Sequence, residues 1–136
     1  MSVPGLYIHI PFCRSKCHYC GFYSTTALEL APDFLKAVRN EMDIYRSDLR
    51  SFDTIYIGGG TPSLLSVKDM AALLEGATGK YTIPSYAEIT LEANPADIDR
   101  PHLKDWRRIG INRLNIGVQS FDDNMLHFLG RRHNRK

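Results

Sequence analysis

Residues 6–22 read LYIHIPFCRSKCHYCGF, and this stretch sets the terms for the whole chain. Leu6, Ile8 and Ile10 alternate with Tyr7 and His9, the period-two pattern of a strand with one aliphatic and one polar face. All three cysteines of the protein, Cys13, Cys17 and Cys20, follow directly behind it. Three later runs repeat the strand pattern. In Thr54–Gly58, Ile55 and Ile57 oppose Tyr56 and Gly58; in Glu88–Glu92, Ile89 and Leu91 oppose Glu88, Thr90 and Glu92; in Arg113–Gln119, Leu114, Ile116 and Val118 oppose Asn115, Gly117 and Gln119.

Helical periodicity fills the gaps between these runs. Pro32 opens a segment whose Phe34, Leu35, Val38, Met42, Tyr45 and Leu49 share one face. Ser66 and Asp69 predict a capped start for a second helix with Met70, Leu73, Leu74 and Ala77 inward. A third helix is expected over 101–109, with Leu103 and Trp106 inward and Gly110 as its stop, and a short fourth between Asp122 and Gly130. Strands alternating with helices predict an α/β fold with a parallel sheet, here about four strands of a partial (β/α) barrel. Strands covered on both faces are normally apolar throughout. These carry Tyr, His, Thr, Glu, Asn and Gln on one face, which predicts a cavity for something polar.

The distinctive residues gather at the carboxyl ends of the strands: the cysteines after the first, GGGTP (58–62) after the second, EANP (92–95) at the end of the third, Gln119 and Ser120 at the end of the fourth. Barrels and open α/β sheets place their ligands at these ends. Thiols at i, i+4 and i+7 suit three irons of a cubane, leaving the fourth open. A Cys3His zinc site completed by His18 or His9 is the main rival, and buried thiols are the plainest alternative. Gly59 and Gly60 permit close backbone approach, and Thr61 adds a hydroxyl. The run lacks the Gly-Lys-Ser/Thr ending of a P-loop. Glu92 suits paired ribose hydroxyls, Gln119 both donates and accepts, and Arg131 suits a carboxylate.

Composition narrows the field. With 136 residues, 43% of them hydrophobic, the chain is long enough for one core. Its net charge of +2 comes largely from the terminal GRRHNRK (130–136), so no broad basic field for nucleic acid is expected. No run reaches the length of a membrane span, and no secretory signal opens the chain; a cytoplasmic location with reduced thiols is the expectation.

Cys13-x3-Cys17-x2-Cys20 resembles the signature of the radical S-adenosylmethionine (SAM) superfamily. LYIHIPFC (6–13), YIGGGTPS (56–63), EANP (92–95), GVQSF (117–121) and LGRRH (129–133), in that order, resemble its branch of oxygen-independent coproporphyrinogen III oxidases and HemW-like haem chaperones. The resemblance implies a 4Fe-4S cluster on Cys13, Cys17 and Cys20 whose open iron takes SAM, and an electron that cleaves SAM to a 5'-deoxyadenosyl radical. Tyr7, Gly59 and Glu92 match positions that contact SAM; Tyr19, Gly60, Thr61, Gln119 and Arg131 match positions lining the SAM region, including a second SAM in the oxidases. No residue is assigned as catalytic. The oxidases carry a further cysteine two residues after the last cluster ligand, and Phe22 stands there, which favours the chaperone-like subgroup. Haem or porphyrin, an electron donor and haem-accepting proteins are the partners this implies. Family members add strands and a C-terminal domain, so residues 1–136 are expected to be the N-terminal part of the core domain. Such a part should assemble a cluster without turning over, and its last strand should be an unpaired edge.

Overall fold

The computed structural model describes residues 3–136. Four strands, β1 (Gly5–Ile10), β2 (Thr54–Gly59), β3 (Glu88–Ala93) and β4 (Arg113–Ile116), form one sheet in the order β1-β2-β3-β4. Every pairing is parallel, with Tyr7 opposite Tyr56, Tyr56 opposite Thr90 and Thr90 opposite Arg113. The sheet is open, with β1 and β4 as its edges. Helices α1 (Ala31–Tyr45), α2 (Val67–Lys80) and α3 (Arg100–Arg108) link successive strands, and α4 (Asp123–Phe128) follows β4.

The period-two pattern sorts the two faces as expected for the first three strands. Ile8, Ile10, Ile55, Ile57 and Leu91 are buried together with Leu35 and Met42 of α1, Met70, Leu73, Leu74 and Ala77 of α2, and Trp106 of α3. Three of the four helices begin at a side chain that caps a free amide, and α1, which has no such cap, has near its start a proline with no amide to satisfy. Pro32 sits in the first turn of α1, Ser66 Oγ accepts from Asp69 N at 3.1 Å, Asp99 from His102 N at 2.8 Å, and Asp122 from Met125 N at 2.9 Å. Gly110 and Gly130, both at positive φ, end α3 and α4.

Three expectations need correction. The inward stripe of α1 stops at Met42: Tyr45 is 49% exposed, and Leu49 lies beyond the end of the helix at Tyr45. Leu103 is 39% exposed rather than inward: Trp106 alone anchors α3. β4 ends at Ile116, three residues early. Val118 N bonds Ile116 O and Ser120 N bonds Val118 O, both at 2.9 Å, so two consecutive tight turns take the chain out of the ladder. Ile116 is consequently exposed. Among the described residues no helix is long and apolar enough to cross a membrane.

The core and its edge should respond differently to truncation. Leu91→Ala, at a fully buried position in the middle of the sheet, is expected to lower stability by about 2–5 kcal/mol. Leu103→Ala should stay within about 0.5 kcal/mol. Urea denaturation of both variants checks this, and equal losses would contradict the burial described.

Candidate cluster and cofactor site

A loop of twelve residues, 13–24, carries the thiols, and its two ends are fastened together. Thr25 N donates to Pro11 O at 2.7 Å and Cys13 N to Thr25 O at 2.9 Å. Phe12, buried, meets the ring of Phe34 edge-on with centroids 5.4 Å apart and locks this junction onto α1. Between the fastened ends Arg14, Ser15 and Lys16 lie in solvent, and Cys20 N turns back to Cys17 O at 3.1 Å.

The loop after β2 closes against this junction. Gly60 N donates to Ile10 O and Thr61 N to Phe12 O, both at 2.8 Å. Gly59 has φ +118°, and a Cβ there would lie 2.8 Å from Ile10 O. One on Gly60 would lie 2.8 Å from Phe12 O and 2.9 Å from Cys13 Sγ. Sequence reasoning had the glycines admit a ligand; in the structure they first admit another backbone. Thr61 Oγ1 donates to Cys13 Sγ at 3.4 Å.

These two loops, with the ends of β3 and β4, enclose a cavity of about 330 Å3. Cys13, Cys17 and Cys20 line it, as do Tyr19, Gly59, Gly60, Thr61, Glu92, Gln119 and Arg131. Tyr7 alone among the expected residues stands outside the lining. Its ring stacks on Tyr56 with centroids 5.9 Å apart, and its hydroxyl meets His9 Nδ1 at 3.2 Å. Partial desolvation, then the charge of Glu92, pushes the Tyr7 phenol above its ordinary pKa. Phe22, 68% exposed, reaches the cavity from the far end of the cysteine loop.

Glu92 is fixed by two donors, Tyr56 OH at 2.7 Å to Oε1 and Gly59 N at 3.0 Å to Oε2, while Asn115 Nδ2 donates to Tyr56 OH at 2.8 Å. Burial raises the pKa of Tyr56; Asn115 opposes this and Glu92 adds to it. Each carboxylate oxygen keeps a lone pair for a ligand hydroxyl. Gln119 reaches the cavity through a left-handed residue, φ 68°, and not through strand parity. That conformation costs on the order of 1 kcal/mol in a residue with a side chain. Arg131 donates from Nη2 to Gly117 O at 2.6 Å and from Nη1 to Tyr19 OH at 3.4 Å and Cys17 Sγ at 3.7 Å, leaving its buried Nε without a partner among the described residues. Burial raises the Tyr19 phenol, Arg131 opposes that rise, and Cys17 adds to it. The lining holds four cations, Arg14, Lys16, Arg131 and Arg132, against one carboxylate, Glu92, and of the four Arg132 is paired with Asp97. That imbalance favours a ligand carrying its own carboxylate.

Three sulfur donors line the cavity wall, Cys13 accepting from Thr61 and Cys17 from Arg131, a donor set that fits a sulfur-ligated iron cluster. His9 is engaged elsewhere, its Nε2 at 3.1 Å from Tyr23 O. Sequence reasoning noted Tyr56 and Asn115 on the polar face without assigning them to the site. It missed Arg132, which lines the cavity with Nη2 at 2.8 Å from Asp97 Oδ1, a pairing that nothing local in the sequence announces.

The tail is pinned beside this wall: His133 Nε2 meets Val118 O at 3.0 Å. Burial, then the charge of Arg131, lowers the His133 pKa, with the Val118 contact opposing. Between that lowered value and the ordinary histidine pKa of about 6.5 the unfolded chain binds the extra proton, so stability falls as pH falls through this window. His133→Gln should flatten that slope in urea midpoints measured from pH 7.5 to 5.5. An unchanged slope would show that His133 titrates alike folded and unfolded.

The family model of the radical SAM superfamily matches residues 7–136. The heme chaperone HemW of Escherichia coli (strain K12) is 44% identical over 133 residues, covering 95% of this chain and 35% of that protein. Radical S-adenosyl methionine domain-containing protein 1, mitochondrial, of Mus musculus is 39% identical over 132 residues, covering 95% of this chain and 30% of that protein. The solved structure of coproporphyrinogen III oxidase (HemN) from Escherichia coli, described as a radical SAM enzyme, superposes with a TM-score of 0.88 at 29% identity, over 97% of this chain and 32% of that one. An archaeal Elp3 from Methanocaldococcus infernus, at 13% identity and a TM-score of 0.58, shares the fold. The chain spans about a third of the length of the curated relatives it matches.

Proposed function

The chain belongs to the radical SAM superfamily, and from that premise we propose that it is the cluster- and SAM-binding part of a HemW-type haem chaperone. The observation that carries this reading is the convergence of all three thiols, the Gly59–Thr61 backbone, Glu92, Gln119 and Arg131 on one cavity. Cys13, Cys17 and Cys20 would hold a 4Fe-4S cluster. Such a cluster, with one iron open, supplies one-electron reducing chemistry and a seat for the amino-acid end of SAM.

The protein's own residues do the positioning. Arg131, with Arg14 and Lys16 in the same lining, attracts the SAM carboxylate. Glu92, immobilised by Tyr56 and Gly59, offers its free lone pairs to the ribose. Gln119 and Thr61 complete the polar lining, and Tyr7, through Tyr56, backs the Glu92 side of the cavity. Haem as cargo, an electron donor and haem-accepting proteins are the partners of the whole protein under this proposal. The HemW relatives support it, and so does Phe22 where the oxidases carry a cysteine. A second reading, oxygen-independent coproporphyrinogen III oxidation, draws on the likeness to HemN.

Anaerobic reconstitution tests the cofactor part. The chain should take up about four iron and four sulfide with a brown chromophore, and Cys13→Ala, Cys17→Ala and Cys20→Ala should each abolish it. Tightly held zinc with no iron would overturn the reading in favour of a Cys3His module. Vinyl groups formed from porphyrinogen propionates by the whole protein would overturn the chaperone assignment.

A further inference from the structure

Ser63, the last residue of YIGGGTPS, has no part in the site described so far, yet it is only 6% exposed. Its hydroxyl donates to Asp97 Oδ2 at 2.8 Å and accepts the Asn94 backbone N–H at 3.1 Å. The second oxygen of Asp97, Oδ1, accepts from Arg132 Nη2 at 2.8 Å. The Asp97 side chain is 9% exposed and that of Arg132 33%. One carboxylate therefore fastens three segments together: the turn after β2, the turn after β3, and the stretch after α4.

A carboxylate this deeply covered is costly unless both oxygens are partnered. Only with all three segments in place are they partnered, so the network favours one arrangement of the three. All three segments carry cavity residues: Ser63 follows Thr61 and Pro62, Asn94 follows Glu92 and Ala93, and Arg132 follows Arg131. With Arg132 drawn to Asp97, Arg131 lies with Nη2 against Gly117 O and Nη1 beside Cys17 and Tyr19.

We propose that Asp97 is a positioning residue: through Ser63 and Arg132 it holds Arg131 against the thiol-lined wall, so that this side of the cavity is preformed. What Arg131 is held there to bind rests on the cluster-and-SAM reading, but the positioning itself is testable without a cofactor.

The test is hydrogen exchange followed by NMR on the metal-free chain, comparing the parent with Asp97→Asn, Ser63→Ala, Arg132→Met and Arg132→Lys. The Arg131 guanidinium N–H signal, slowed by its bond to Gly117 O, should exchange at least tenfold faster in Asp97→Asn and Arg132→Met. Arg132→Lys should restore most of the protection. Ser63→Ala should speed exchange at the Asn94 amide, while amides of β1 and β2 keep the parent rate throughout. An unchanged Arg131 signal in Asp97→Asn and Arg132→Met would overturn the proposal. So would equal loss of protection in β1 and β2, which marks general destabilisation. If Asp97→Asn does not fold, Arg132→Met decides, since its side chain is at the surface of the network. Failure of iron uptake would sink the proposed function and leave this result standing.

Discussion

The site depends on the distance between two backbones. The chain leaving β2 passes so close to the chain leaving β1 that Gly60 N and Thr61 N donate to Ile10 O and Phe12 O at 2.8 Å. A methyl group at residue 59 or 60 would collide with those carbonyls. This approach brings Thr61 to Cys13, places Gly59 N under Glu92, and gives the cavity its floor. It also exhausts polar groups that would otherwise be buried unpaired at the junction of two loops. The glycines thus serve the ligand indirectly, by letting the protein fold onto itself at the point where the thiols emerge.

The second organising element is the division of labour between the faces of the sheet. Aliphatic residues at alternate positions of β1, β2 and β3 bury against three helices. Residues on the other face cannot be left dry without partners, and they find them in one another: Asn115 to Tyr56, Tyr56 to Glu92, Tyr7 stacked on Tyr56 and bonded to His9. Of this polar network Glu92 and Asn115 face the cavity, each held by a partner within the sheet. Fixing these groups in advance removes the ordering cost that a ligand would otherwise meet.

Much of this was legible in the sequence because it rests on short-range rules. Strand parity in LYIHI, the Ser66–Asp69 cap, the glycine stops at 110 and 130, and the gathering of distinctive residues at strand ends are all local patterns. Local patterns failed where an element ended early or long-range partners decided. Leu49 looked like one more member of a helical stripe, but the helix had already ended. Val118 and Gln119 alternated correctly and still left the sheet, because two tight turns replaced the ladder. Ser63, Asp97 and Arg132 come from three separate turns, and no periodicity joins residues 34 or 35 positions apart.

The strand order adds a consequence in time. Each strand pairs with its predecessor and successor in the chain, with no strand inserted out of turn. A sheet of this kind grows by one strand and helix at a time, with modest loop-closure entropy at each step. During synthesis the cysteine loop emerges first, the glycine turn that closes on it next, then Glu92, and after it Arg131 and Arg132. These parts of the cavity wall are therefore delivered in sequence, and the cysteine loop can be fastened to β2 before Arg131 has been made.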